Sequence, residues 1–153
     1  MANNLYPLPS FCFKVTVGKL SSGVEAYFRS VSGIRSETEI LPVKEGGVNY
    51  TSWQLYNGTK WSNIVLKRGF SGAPEFADWR DSWVYNKSRV REDITIEQLD
   101  SDMKTVRATW TFKKGWPVKW EVSELDASKS EISIETLEIA HDGMTYTTKP
   151  RDK

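Results

Sequence analysis

Any chemistry in this 153-residue chain would have to come from its acids, its basic clusters, its single histidine or its single cysteine. Glu131, Glu135 and Glu138, or Glu37 and Glu39, offer the paired acids of glycoside hydrolysis, one to protonate the leaving oxygen and one to act as nucleophile or base. Acids spaced by two along a strand are equally the mark of a solvated face, and no second set of groups converges on them. His141-Asp142 has the look of half a hydrolytic triad, yet it runs into Gly143, and the chain has no Gly-x-Ser-x-Gly elbow. Gly69-Phe70-Ser71-Gly72 is too short for a phosphate loop and lacks its lysine, so it reads as a strand-to-helix connection. Cys12 has only Lys14 near it in sequence to favour a thiolate. One Cys and one His exclude an intrachain disulfide and a Cys/His zinc site. The expectation is a protein with no catalytic residue, no cofactor and no metal.

Binding is the next class. Lys67-Arg68, Lys87 to Arg91 and Lys113-Lys114 are interleaved with Trp and Tyr, as an oligonucleotide-binding face would require. However, the late Trp residues alternate with Val and Ala, which is core patterning. Lys and Arg (21) nearly cancel Asp and Glu (20), leaving +1 and no basic footprint. Seven Trp, six Tyr and six Phe are more adhesive surface than a small core needs. Some of them are therefore available to a partner. No apolar run approaches the ~18 to 20 residues of a membrane-spanning helix. The start, Met1-Ala-Asn-Asn-Leu-Tyr-Pro, shows no Sec-type signal, which implies synthesis in a cytoplasm.

The elements that position these residues are mostly strands. Phe11 to Val17 alternates, with its odd positions apolar. Glu25 to Leu41 reads as two strands or one bent strand broken at Ser32-Gly33, its polar half at Ser36-Glu37-Thr38-Glu39 exposed to water or a partner. From Pro42 to Thr59 few aliphatics remain, but Tyr50, Trp53, Leu55 and Tyr56 argue against disorder and for an extended arm or hairpin, about residues 43–58, that docks on something. Lys60 to Arg68 returns to strand composition. The one helix, about residues 73–86, sets Phe76, Trp79 and Trp83 on one face, with Pro74 in its first turn. Glu92–Leu99, Thr105–Phe112 and Trp116–Val122 follow as three strands, the last with Trp116, Val118, Trp120 and Val122 together on one face. In Glu131 to Ala140 the apolar phase switches between Ile134 and Leu137, which calls for a bulge near Glu135-Thr136 or a change of environment. Seven or eight strands and one helix make a mainly-β single domain over residues 1–153, a small antiparallel barrel or two-sheet sandwich with a flanking helix and a long inter-strand arm.

The run from Trp110 through Trp116-Pro117-Val118-Lys119-Trp120-Glu121, then Leu125-Asp126-Ala127-Ser128 and Glu131 to Gly143, resembles the tube proteins of contractile tails. Pro7-Leu8-Pro9-Ser10-Phe11, Val31-Ser32-Gly33-Ile34, Lys44-Glu45-Gly46-Gly47 and Asn63 to Gly69 carry the same resemblance in order along the chain. Lys114-Gly115 departs from the family's Asn-Ala, and Ser123-Glu124 from its Gly-Pro-like turn. Phage tail tubes, the inner tubes of extracellular contractile injection systems and the type VI secretion tube protein share this family. The chain looks closest to the injection particles. The resemblance implies hexameric rings stacked into a hollow tube inside a sheath, with sheath, baseplate and tube-cap proteins as partners and effector protein or DNA as luminal cargo. It also implies assembly into a phage tail or an extracellular phage-tail-like particle. On this reading Glu45, Gly46, Gly47, Tyr50, Trp53 and Tyr56 form an arm to the adjacent ring, while Ser36, Glu37, Thr38, Glu39, Ser133 and Glu135 face the lumen. A phage tail tube conducting DNA is the alternative, and a carbohydrate- or ligand-binding β-domain is the rival outside the family.

Overall fold

The computed structural model describes residues 6–18, 28–47 and 50–150. The start of the second expected strand, residues 25–27, lies outside them. In chain order the elements are β1 (Phe13–Val17), β2 (Ser30–Ser32), β3 (Ser36–Val43), β4 (Trp53–Trp61), β5 (Ile64–Gly69), α1 (Glu75–Val84), β6 (Glu92–Leu99), β7 (Val106–Val122), β8 (Ile134–Ala140) and β9 (Gly143–Thr148). Seven strands join in the order β1-β6-β7-β8-β5-β2, with β9 on β7, and all these pairings are antiparallel. Among the described residues, β3 and β4 pair only with each other. The chain is thus mainly β with one helix. No helix among the described residues is long and apolar enough to cross a membrane.

The two late strands expected at 105–112 and 116–122 are one 17-residue strand. Its first half pairs β6 and β9, and its second half pairs β8. β7 is therefore the spine shared by two sheet halves, and it turns a corner at Lys113-Lys114-Gly115. Lys114 takes a φ of +53°, and its N–H donates to Asp93 Oδ1 at 3.0 Å. A Cβ on Gly115 would meet Ile94 Cδ1 at 2.1 Å and the Glu92 carbonyl oxygen at 2.9 Å, so only glycine lets the strand pass so close to β6. A second irregularity between Pro117 and Lys119 ends the strict alternation. Pro117 pairs Ile139 and Trp120 pairs Leu137. Trp116 therefore does not share a face with Trp120, and it stacks on Trp83 of α1 with centroids 5.1 Å apart.

Between the two halves lies the core. Val15, Val17, Ile94, Ile96 and Phe112 come from one half, Ile64, Leu66, Leu137 and Ile139 from the other, and Phe76 and Trp79 from α1. The helix face of Phe76, Trp79 and Trp83 is as the spacing requires, and Trp79 Nε1–H donates to the Val90 carbonyl at 3.0 Å. Pro74 is the cap residue preceding the helix rather than part of its first turn, and its side chain offers no cap bond. Phe11, expected inside, is 77% exposed, while Cys12 beside it is fully buried.

β8 corrects the reading of a phase switch. Its register against β5 is unbroken from Ile134 to Ile139, with no bulge at Glu135-Thr136. Ile132 precedes the strand and is 79% exposed. The inward face is Glu135, Leu137 and Ile139. The Lys60–Arg68 strand is likewise split, since Lys60 and Trp61 end β4 and β5 begins at Ile64.

Candidate assembly interface

The arm is a β-hairpin that starts earlier than its composition suggests, at Ser36. Ser36 pairs Trp61, and the ladder runs out through Ile40↔Tyr56, Leu41↔Leu55, Pro42↔Gln54 and Val43↔Trp53. A register shift between Thr38 and Ile40 sets Asn57-Gly58 against Glu39 and divides the hairpin in two. The half near the body is polar. Arg35 Nη2–H donates to Glu37 Oε2 at 2.9 Å, and Lys60 pairs with Glu39. The hydrogen bond that Lys60 donates to Glu39, and then the charge of Glu39, hold the Lys60 ammonium above its ordinary pKa.

Beyond the register shift the hairpin is apolar on both faces. Leu41, Leu55, Val43 and Trp53 share one face, while Ile40, Pro42 and Tyr56 share the other with Gln54. Tyr50 is 89% exposed, Tyr56 73% and Trp53 60%. With Ile40, Leu41, Val43 and Leu55, these side chains present on the order of 900 Å² to solvent, comparable with the ~800 Å² that one partner gives to a standard protein interface. An isolated two-stranded ribbon is marginal in water. Glu45, Gly46 and Gly47 form its exposed tip, where a Cβ on either glycine would meet nothing within 4 Å.

Both legs leave the body at the Ile64–Ile139 end of the β5–β8 ladder. There a Cβ on Gly33, whose φ is +94°, would lie 2.0 Å from the Asn63 carbonyl oxygen, so glycine is required for the legs to cross. His141 anchors the second leg. Gly143 N–H donates to its Nδ1 at 3.2 Å, which leaves Nε2–H to donate to the Ser62 carbonyl at 2.9 Å. Its ring lies between Phe112 and Trp61, at centroid distances of 4.8 and 6.2 Å. The histidine is a structural clamp.

The structure separates the residues expected to face a lumen. Ser36, Glu37, Thr38 and Glu39 lie in the arm's polar half, at the Ile64 end of the ladder. Ser133 lies at the Gly69 end, where its carbonyl accepts from Phe70 N–H at 2.9 Å. The five steps of β5 between those ends span about 17 Å. Glu135 is removed from the set, because it is 1% exposed and turned into the subunit's own core. It accepts from Arg68 Nε–H at 2.7 Å and from Trp120 Nε1–H at 2.7 Å. The Arg68 guanidinium lies 4.1 Å from the Phe76 ring centroid, and its Nη2 is 3.7 Å from Glu75 Oε2. This buried ion pair explains the apolar phase that the sequence left unexplained: an acid occupies a core position. Glu138 accepts from Asn63 Nδ2–H at 3.1 Å. Among the described residues no group of three or more His, Cys, Asp or Glu is placed to hold a metal ion.

A β-body that keeps its core to itself while projecting an uncovered apolar ribbon has the architecture of an assembling subunit. The family model for the T4-like virus tail tube protein gp19 matches residues 9–145, and the chain belongs to this contractile-tail tube family. Among solved structures, a chain in the cryo-EM structure of the anti-feeding prophage baseplate is similar at TM-score 0.82 and 24% identity, over 94% of this chain and 97% of that one. A chain in the sheath-tube complex of the PVC extracellular contractile injection system in its extended state is similar at TM-score 0.77 and 23% identity, over 94% and 93%. Hcp1 from Flavobacterium johnsoniae is similar at TM-score 0.57 and 17% identity, over 94% and 100%. These likenesses show a shared fold. No curated protein matches the chain.

Proposed function

We propose that this chain is the inner-tube subunit of a contractile injection machine, closing into hexameric rings that stack into a hollow tube within a sheath and conduct cargo. The observation that carries this reading, beside membership of the tail tube family, is the arm: among the described residues its apolar surface has no strand partner beyond its own two strands. Burial of that surface by the adjacent ring gives each copy the same contact, and many weak copies of one contact make a rigid shaft. Sheath, baseplate and cap proteins are the remaining partners, and the cargo is effector protein or DNA. The solved structures from extracellular injection particles support this branch. The phage family model keeps open a tail tube that conducts DNA. Ser36 to Glu39 and Ser133 face the lumen on this reading, at different levels.

Electron microscopy of the purified protein tests it: rings and tubes are expected, and a monodisperse monomer would instead favour a ligand-binding β-domain. A deletion of residues 40–56 joins Glu39 to Asn57-Gly58, which leaves a short loop with the glycine a tight hairpin needs. That variant is expected to fold with unchanged circular dichroism and to form no tubes.

A further inference from the structure

A stack built from one repeated head-to-tail contact needs two different patches on opposite ends of the subunit. The arm is one of them. It leaves at the Ile64 end of the β5–β8 ladder, so its receiver belongs at the Gly69 end. What lies there is the β7–β8 loop, residues 124–133. Its neck is closed by Ser123 N–H donating to the Ile134 carbonyl at 2.8 Å and by Ile134 N–H donating to Ser123 Oγ at 2.9 Å. Phe70 N–H ties it to the end of β5 through Ser133. Inside the loop Asp126 accepts from the Ser128 hydroxyl at 2.6 Å and from its N–H at 2.9 Å, bonds that also hold this carboxyl below its ordinary pKa. The loop is therefore preorganised, and it still exposes two large aliphatic side chains, Leu125 at 80% and Ile132 at 79%. They border an open concavity of about 550 Å³.

We infer that the β7–β8 loop is the socket for the arm of a copy in the neighbouring ring, with Leu125 and Ile132 meeting the distal faces that carry Tyr50 and Trp53. This inference rests on the stacked-ring reading above and adds the receiving surface. Another exposed apolar cluster, Val84, Tyr85 and Val90, follows the helix whose Trp83 stacks on Trp116. Because Trp116 pairs Ala140, that cluster sits near the end the arm leaves from and is in the wrong place to receive it.

Oxidation of assembled Tyr50→Cys/Ile132→Cys and Trp53→Cys/Leu125→Cys protein is expected to give covalent ladders longer than six subunits on non-reducing gels. Tubes in which neither pair crosslinks would overturn the socket while leaving the tube function standing. Crosslinking within isolated single rings would also overturn it, because the contact would then be lateral. As a second measurement, Leu125→Glu/Ile132→Glu, both at exposed positions, is expected to leave the melting curve unchanged and to give rings that do not stack. Wild-type-length tubes from this variant would overturn the inference. Failure of the wild-type chain to form rings or tubes at all would remove both readings.

Discussion

The body and the arm of this subunit are made of the same kind of strand, with aliphatic and aromatic residues set against Thr, Ser and charge, but they handle those residues oppositely. In the body each inward side chain has a partner from the other sheet half, as Ile94, Phe112, Ile139 and Ile64 do, and all four are fully buried. In the arm, Leu41, Leu55, Val43 and Trp53 form a comparable stripe and stay 39 to 60% exposed. Hydrophobicity specifies that a surface will be covered, while topology specifies by what. A stripe on a seven-stranded sheet finds its cover in the same chain. Among the described residues, a stripe on a ribbon with no third strand finds no such cover in its own chain.

That contrast can be broken most forcefully in the body. Removing one side of the buried ion pair with Arg68→Met should cost about 3–5 kcal/mol in urea unfolding, because Glu135 would be left charged and unpaired. Arg68→Met/Glu135→Leu should recover most of it. Phe112→Ala should likewise lose about 3–5 kcal/mol through the cavity it leaves. Gly115→Ala should lose about 1–3 kcal/mol, because the added methyl must displace Ile94 or bend β7 away from β6. The arm should respond in the opposite way. Trp53→Ala should change monomer unfolding by no more than about 0.5 kcal/mol, and its effect should appear only as a loss of tube length in electron micrographs. An Arg68→Met variant as stable as wild type, or a Trp53→Ala monomer several kcal/mol weaker, would erase the distinction between self-covered and partner-covered surface.

The smallest effect concerns acid. Asp102 in the β6–β7 turn accepts from the Thr105 hydroxyl and from the N–H groups of Thr105 and Lys104. These bonds lower its pKa from 3.8 to about 2. A depressed folded-state pKa means that the contribution is complete above the unfolded value and fades as the pH falls towards the folded one. Asp102→Asn should therefore lose this small contribution at neutral pH, and its difference in stability from wild type should shrink as the pH falls from about 4 to about 2. Carboxyl NMR titration of the wild type measures the same shift directly.

Much of the body was legible because its signals are local. Period-two alternation marks β1 and β6, and spacings of three and four mark the helix face of Phe76, Trp79 and Trp83. What escaped had non-local causes. Lys113-Lys114-Gly115 looks like a turn between two strands, and only the crowding of Ile94 and Ile139 shows that a glycine is needed for one strand to bend through a corner. Met144-Thr145-Tyr146-Thr147-Thr148 carries an ordinary strand signature after a glycine, so β9 is local in origin too. Glu135 was read as a polar face because an acid in a strand usually is one. Its burial depends on Arg68, 67 residues away. In the arm, Tyr50, Trp53 and Tyr56 stood out by type, whereas Ile40, Leu41, Val43 and Leu55 did not, because nothing in their local pattern says that both faces of the ribbon are bare. Leu125 and Ile132 were invisible as a pair for the same reason.

By itself the sequence determined the mainly-β character, the single helix, an aromatic surplus beyond the needs of one small core, and the tail tube family, since composition, periodicity and ordered motifs are properties of the chain alone. Only the tertiary structure decided that Ile40, Leu41, Val43 and Leu55 are exposed beside the arm's aromatics, that Glu135 is a core ion rather than a wall residue, and that arm and β7–β8 loop stand at opposite ends of one ladder. Those facts depend on which strands become neighbours. Strand order and register are set by the whole folded chain, and no window of sequence contains them.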